Sequence, residues 1–95
     1  MAGFVYTMSN KRGGVLYIGV TSNIFARIEQ HRNVGGSAFC RKYGLDRLVY
    51  VEEHVDIRDA IAREKAMKVW KRAWKVELID AANQEWEDLS QYHRL

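Results

Sequence analysis

Phe4-Val5-Tyr6-Thr7-Met8 and Val15-Leu16-Tyr17-Ile18-Gly19-Val20 are two β-branched and aromatic runs, separated by the turn-rich Ser9-Asn10-Lys11-Arg12-Gly13-Gly14. The pattern predicts a β-hairpin. A symmetric six-residue loop would set Tyr6 opposite Tyr17. Because side chains alternate along a strand, both phenols would then share one sheet face. Further along, Thr21, Ser22 and Asn23 are N-cap residues ahead of Ile24-Phe25 and Ile28, which predicts a helix of about three turns ended by Gly35-Gly36-Ser37. A short helical segment follows from Ala38 to Tyr43, closing at Gly44, and Leu48-Val49-Tyr50-Val51 reads as a third strand. Asp56 then caps a long helix expected from Ile57 to about Trp74, with no Gly or Pro to interrupt it. At 100° per residue, Ala62, Ala66, Val69, Trp70 and Ala73 form its expected core face, with Glu64, Lys65, Lys68, Lys71, Arg72 and Lys75 opposite. Val76 to Leu89 reads as helical with a break near Asn83, and residues 90–95 as a frayed tail. The expected class is therefore α+β: a small three-stranded antiparallel sheet, made of the hairpin plus one strand, flanked by helices.

At 95 residues and 11.1 kDa the chain has length for one domain, 1–95, with a core of about residues 4–89. Its 47% hydrophobic and 12% aromatic content is that of a folded protein and far from the signature of disorder. No uncharged run is long and apolar enough to span a bilayer, so no membrane role is expected. Met1-Ala2-Gly3-Phe4 lacks the basic start of a secretion signal, and the one cysteine, Cys40, has no partner for an internal disulfide. These features point to a cytoplasmic protein. Cys40 lacks the neighbours of a zinc site and reads as a core thiol, and His54 and His93 read as surface residues.

The net charge of +3 conceals a strong pattern: +5 over residues 1–50, −3 over 51–62, +5 over 63–75 and −4 over 76–95. A basic cluster of Arg63, Lys65, Lys68, Lys71, Arg72 and Lys75 suits an anionic partner, most simply a nucleic-acid backbone, or a solvated helix face balanced by the acidic tail.

Taken singly, the candidate functional residues have ordinary readings. Arg27 and His31, four apart, make a surface pair on an amphipathic helix, and Glu64 with Lys68 makes an i,i+4 ion pair. Tyr6 and Tyr17 are strand aromatics, and Trp70, Trp74 and Trp86 recur as core residues do. Taken together, their order is specific. Tyr6, then Tyr17-Ile18-Gly19, Thr21, Arg27, His31, Glu64 on a later helix, then Asn83 and Trp86, resembles the GIY-YIG nuclease superfamily, in particular its small stand-alone members. The resemblance runs from Phe4 to about Leu89. Phe4 stands where the family's first triplet usually has glycine, and Gln84 where many relatives carry proline.

That resemblance implies a metal-dependent endonuclease acting on DNA. Glu64 would be the sole protein ligand of one Mg²⁺ or Mn²⁺, with water and phosphate oxygens completing the shell. Arg27 would contact the scissile phosphate and stabilise its developing charge. Tyr17 would serve as general base toward water, helped by Tyr6 and His31. A phenol titrates near ~10 and an imidazole near ~6.5, so Tyr17, Tyr6 and His31 all stay open as the proton acceptor. Gly19 and Asn83 would be supporting residues. Lys68, Lys71 and Lys75 would join Arg27 in holding phosphates, giving salt-sensitive, sequence-independent affinity. The alternative is a non-catalytic nucleic-acid-binding module that keeps the fold. With no length for a separate specificity domain, the expected substrate is DNA, branched or damaged as in repair or recombination, with RNA also open. A partner protein or a homodimer would then supply selectivity.

Overall fold

The computed structural model describes residues 1–33 and 38–91. Three strands, β1 (Gly3–Ser9), β2 (Leu16–Thr21) and β3 (Arg47–His54), form an antiparallel sheet in the order β2-β1-β3. Helices α1 (Ile24–Asn33) and α2 (Ala38–Tyr43) lie between β2 and β3 in sequence; α3 (Ile57–Lys68), α4 (Arg72–Ala82) and a 3-10 turn (Leu89–Gln91) follow. The α+β class with a three-stranded antiparallel sheet is as expected. The Gly35-Gly36-Ser37 helix end and the tip of the expected frayed tail lie outside the described residues.

Strand β1 is central and covered on both faces, which is why its sequence is an almost unbroken apolar run. On one face, Val5, Ile18, Val49, Tyr50, Ala60, Met67, Ile79 and Trp86 form the core under α3 and α4. On the other, Tyr6, Met8 and Leu48 pack with Ile24, Ile28, Cys40 and Leu45 from the α1–α2 side. A bulge in the β1–β3 ladder, where Thr7 faces Tyr50 but Met8 faces Leu48, sends the neighbours Val49 and Tyr50 into the same core.

The hairpin differs from expectation in register. Its first pair is Ser9 with Leu16, so Tyr6 faces Gly19 and Tyr17 faces Met8. The six-residue loop is 10–15 in place of 9–14, held by its own hydrogen bonds: Asn10 Oδ1 accepts from the Val15 amide at 3.0 Å, the Gly14 amide donates to the Lys11 carbonyl at 2.9 Å, and Gly13 takes φ 69°. The loop has slid one residue along the chain, which offsets every cross-strand pair by two positions. Because the strand period is two, that offset keeps Tyr6 and Tyr17 on one face, whereas an offset of one would have parted them.

The long helix expected to Trp74 ends at Lys68. Val69 and Trp70 amides turn back to the Ala66 and Met67 carbonyls in a tightened last turn, and Lys71 is extended. Arg72 fastens the start of α4 to the hairpin by donating to the Gly13 and Gly14 carbonyls at 3.0 and 2.6 Å, and Lys75 Nζ donates to the Lys68 carbonyl at 3.3 Å. Tertiary anchors make this break where local composition signals none. The expected core face is also displaced. Ala62, Ala66, Val69 and Ala73 are exposed, and the packed side runs through Ala60 and Met67 with Arg63 and Glu64 half-buried beside them. Docking distance decides: a Cβ on Gly3 would lie 2.8 Å from the Ile57 Cα and 2.9 Å from the Ala60 Cβ, so α3 approaches β1 through its smallest residues. Arg63 then fixes the rotation of α3 by donating to Glu52 of β3 at 2.9 Å. Burial alone would raise the Glu52 carboxyl, but hydrogen bonds from Tyr50, His54 and Arg63 outweigh it and hold it below the ordinary range. His54, expected on the surface, is half-buried in this network, 2.8 Å from Glu52.

After Asn83 the chain does not resume a regular helix. Asn83 is buried at the end of α4; its side-chain amide donates to the Val49 and Glu87 carbonyls at 3.0 and 2.8 Å and its Oδ1 accepts from the Glu87 amide at 3.1 Å. The turn it closes delivers Trp86, at φ 54°, into the core, where the indole donates to Asp80 at 2.6 Å. Asn83→Ala should destabilise the protein by about 2–3 kcal/mol, because the Val49 carbonyl loses its side-chain donor inside the core. A urea midpoint within error of the parent protein would show that this clamp carries no stability.

Candidate active site

The site begins with the cap of α1. Thr21 Oγ1 accepts from the Asn23 amide at 3.1 Å, and Asn23 Oδ1 accepts from the Ala26 amide at 3.1 Å, so the helix starts in a fixed phase immediately after β2. In that phase Ile24, Ile28 and His31 are buried and Arg27 half-buried on the side turned to the sheet. Arg27 and His31 therefore meet Tyr6 from above.

Tyr6 is fully buried, and its hydroxyl is the hub. Arg27 Nη1 donates to it at 3.1 Å, and His31 Nε2 lies 3.4 Å away. A guanidinium has no acceptor, so the Tyr6 oxygen accepts from Arg27, while the sense of the Tyr6–His31 bond follows the imidazole tautomer. Nδ1 itself is buried without a hydrogen-bond partner. The rings of Tyr6, Tyr17 and His31 form a triangle, with centroids 6.4, 5.8 and 5.9 Å apart. Burial pushes the Tyr6 phenol up to about 12 against the opposing pull of Arg27, so it stays protonated at neutral pH. Burial and then the Arg27 charge lower His31, which is therefore neutral.

Gly19 makes this arrangement possible. It faces Tyr6 across the ladder, and a Cβ there would overlap the Tyr6 Oη and Cζ. Phe4, at the position where a glycine is usual in such a triplet, pairs with Thr21 one register step away and packs partly buried against the α1–α2 side of the core.

Tyr17 is half-buried on β2, the edge strand, and opens onto a cleft of about 380 Å³. Leu16, Ile18, Phe39, Lys68 and Lys75 line it too, so the cleft wraps the free edge of β2 and draws on helices from both faces of the sheet. Phe39 stacks 6.2 Å from Tyr17. Sequence reading missed it; its only signal was an aromatic in a short helix after the first. Lys68 bonds Glu64 at 3.1 Å, and the Glu64 side chain is only 13% exposed. The structure thus groups Tyr6, Tyr17, Arg27 and His31 in one contact set, with Glu64 joined to the same cleft through Lys68. Lys75 lines the cleft as well, whereas Lys71 sits over the Trp74 ring at 5.8 Å.

Among the described residues no three His, Cys, Asp or Glu side chains come together to cage a metal. A single recessed carboxylate fits a hard cation that keeps most of its shell as water and phosphate oxygen; it does not fit a closed zinc site.

Gly19→Ala should cost about 1–3 kcal/mol by urea denaturation, since the new methyl displaces the Tyr6 ring; an unchanged midpoint would deny the close approach. For His31, whose folded-state value lies below its unfolded one near ~6.5, the unfolded chain takes up the proton first. Stability from this group is full above about pH 6.5 and is lost as pH falls from there through the folded value. The melting temperature of the parent protein should consequently drop more between pH 7.5 and 5.5 than that of His31→Gln; parallel losses would refute it.

The family model for the GIY-YIG catalytic domain matches residues 2–77. UPF0213 proteins are similar across most of the chain: one from Clostridium perfringens is 36% identical over 82% of this chain and 83% of its own length. One from Staphylococcus aureus is 32% identical over 80% and 92%. The solution NMR structure of the UPF0213 protein BH0048 from Bacillus halodurans has the same fold, with TM-score 0.59 at 24% identity over 100% of both chains. With the Tyr17-Ile18-Gly19 strand and its tyrosine partner in the geometry above, this chain belongs to the GIY-YIG family, alongside the UPF0213 proteins.

Proposed function

We propose that the chain is an endonuclease that hydrolyses phosphodiester bonds in DNA with one Mg²⁺ or Mn²⁺ held through Glu64. Family membership supports a nuclease-type function on nucleic acid. The observation that carries the finer reading is the convergence of Arg27 and His31 on the buried Tyr6 hydroxyl, with the Tyr17 ring beside Tyr6 and opening onto a cleft also lined by Lys68, the partner of Glu64.

Division of labour follows from burial. Tyr6, held protonated, is an orienting group: it fixes Arg27 and His31 relative to one another. Tyr17 is the phenol that reaches the cleft, and as phenolate its Oη takes the proton of the attacking water. Lys68 and Lys75 line the cleft and give it the positive potential that binds the phosphate. Arg27 has guanidinium donors left over after Tyr6 to meet the developing oxyanion charge, which a Lys could not do with the same fixed fork. Neutral His31 pairs with Tyr6 and passes no charge into an already cationic site. A bound divalent cation supplies Lewis-acid polarisation of the phosphate. Lys68, 3.1 Å away, holds the Glu64 carboxylate at the cleft.

Glu64→Gln, nearly isosteric, should leave the fold intact and lower divalent-ion-dependent cleavage of DNA by at least about 100-fold, a loss in the range seen for single electrostatic groups. Arg27→Ala should lose activity comparably while still binding DNA. Full cleavage by Glu64→Gln in a Mn²⁺-supplemented assay would overturn the site. Salt-dependent binding by the parent protein, with no product from any DNA, would favour the non-catalytic module instead.

A further inference from the structure

The α3–α4 elbow carries an aromatic surface that the chemistry above does not use. Of the three tryptophans, Trp86 is buried and Trp70 packs partly against the core, but Trp74 is 53% exposed. An exposed indole combines a flat apolar face with an N–H donor, the character of a contact residue. Trp74 is also braced: Trp70 meets it edge-on at 6.4 Å and 74°, and Trp70 is itself held under Arg63 at 4.9 Å. Arg63 in turn is bonded to Glu52 of the sheet. A ring fixed this way offers a flat face with little entropy left to lose. Beside it runs an open groove of about 450 Å³ lined by Trp70, Trp74, Glu77, Leu78 and Ala81.

The charge around this groove selects its occupant. Lys71 lies over the Trp74 ring, and Lys75, four residues on and so one helical turn along the same side, lines the Tyr17 cleft. Two cations thus lead from the cleft toward the indole, and Glu77 lines the groove itself. Alternating phosphates and bases match that layout: cations for the backbone, a fixed π-face for a base, and a carboxylate able to accept from an exocyclic amino group.

We propose that Trp74 is a nucleobase-stacking subsite, receiving an unpaired base of the strand whose phosphates run along Lys71 and Lys75 into the Tyr17 cleft. This rests on the nucleic-acid reading of the same cleft. A paired base has both faces covered by its neighbours, so the subsite discriminates in favour of strands with an unstacked nucleotide next to the reacting phosphate.

The test is metal-free binding, read by fluorescence anisotropy, of a labelled single strand of about 12 nucleotides and of the corresponding blunt duplex. Trp74→Ala should weaken single-strand binding about 10-fold, a size expected for loss of one stacked base, while changing duplex binding less than about 2-fold. Trp74→Phe should restore most of the affinity and abolish most of the tryptophan quenching caused by the single strand. The salt slope should be unchanged by either Trp74 substitution but reduced by about 1 in Lys71→Ala. Equal single-strand affinity in parent protein and Trp74→Ala, or equal losses on both substrates, would overturn the proposal. So would sedimentation showing that Trp74→Ala separates a dimer while oligonucleotide affinity is unchanged, since the groove would then serve a second copy of the chain. Should Trp74→Ala fail to fold, unaltered quenching in Trp74→Phe overturns it alone. Because no cleavage is read, the nuclease reading fails separately: retained stacking without Glu64-dependent cleavage removes the enzyme and keeps the subsite.

Discussion

The structure is organised around the buried hydroxyl of Tyr6. One oxygen on the central strand receives Arg27 and engages His31, both from α1, and so ties the first hairpin to the first helix through a polar contact inside the core. Such a contact tolerates little slack. In a low-dielectric site each of these groups would be costly without its partner, and the cationic Arg27 is what lets a fully buried phenol keep a hydrogen-bonding role. Gly19 must stay bare for the ring to lie where it does, and the Asn23 cap must start α1 in the phase that brings positions 27 and 31 over the strand. The signature residues are therefore interdependent parts of one packing solution.

Much of this was legible in the sequence because it is local. Strand propensity, the Thr21–Asn23 cap and the four-residue spacing of Arg27 and His31 are short-range facts, and they give the shared face of Tyr6 and Tyr17 and the shared helix edge of Arg27 and His31; that the two meet came only from the family resemblance. The register differs because the turn's own hydrogen bonds, the Val15 amide to Asn10 above all, hold the loop one residue further along the chain. The prediction of a shared face survived only because the offset was even. The α3 face was misjudged for a different reason. Alanines carry helix propensity but little preference for burial, so Ala62 and Ala66 gave a false stripe, while Gly3 on a distant strand set the line of contact. The break at Val69 was invisible because Arg72 bonds a hairpin turn 58 residues back in the chain, and Lys75 then closes the elbow on the end of α3.

The same displacement changes the meaning of Glu64. On a helix read as one long amphipathic rod it stands among lysines on a solvated face. In the fold it is recessed, one residue from the Arg63–Glu52 bond that fixes the rotation of α3, and is matched to a single ammonium. Recession limits the further protein donors that can reach this carboxylate, so its electrostatic setting is decided by Lys68 and by what enters the cleft.

Strand β2 has one further property. It is an outer strand, and its far side offers a row of unsatisfied amide and carbonyl groups, the usual template for runaway strand addition between molecules. Lys68 and Lys75 overhang that row from one side and Phe39 from the other. A foreign strand docking there would have to strip water from two ammonium groups and prise apart an aromatic stack. The cations that suit the cleft to a phosphate chain thereby also act as gatekeepers against amyloid-like self-pairing, so replacing them with apolar residues would exact its toll in colloidal behaviour as well as in binding.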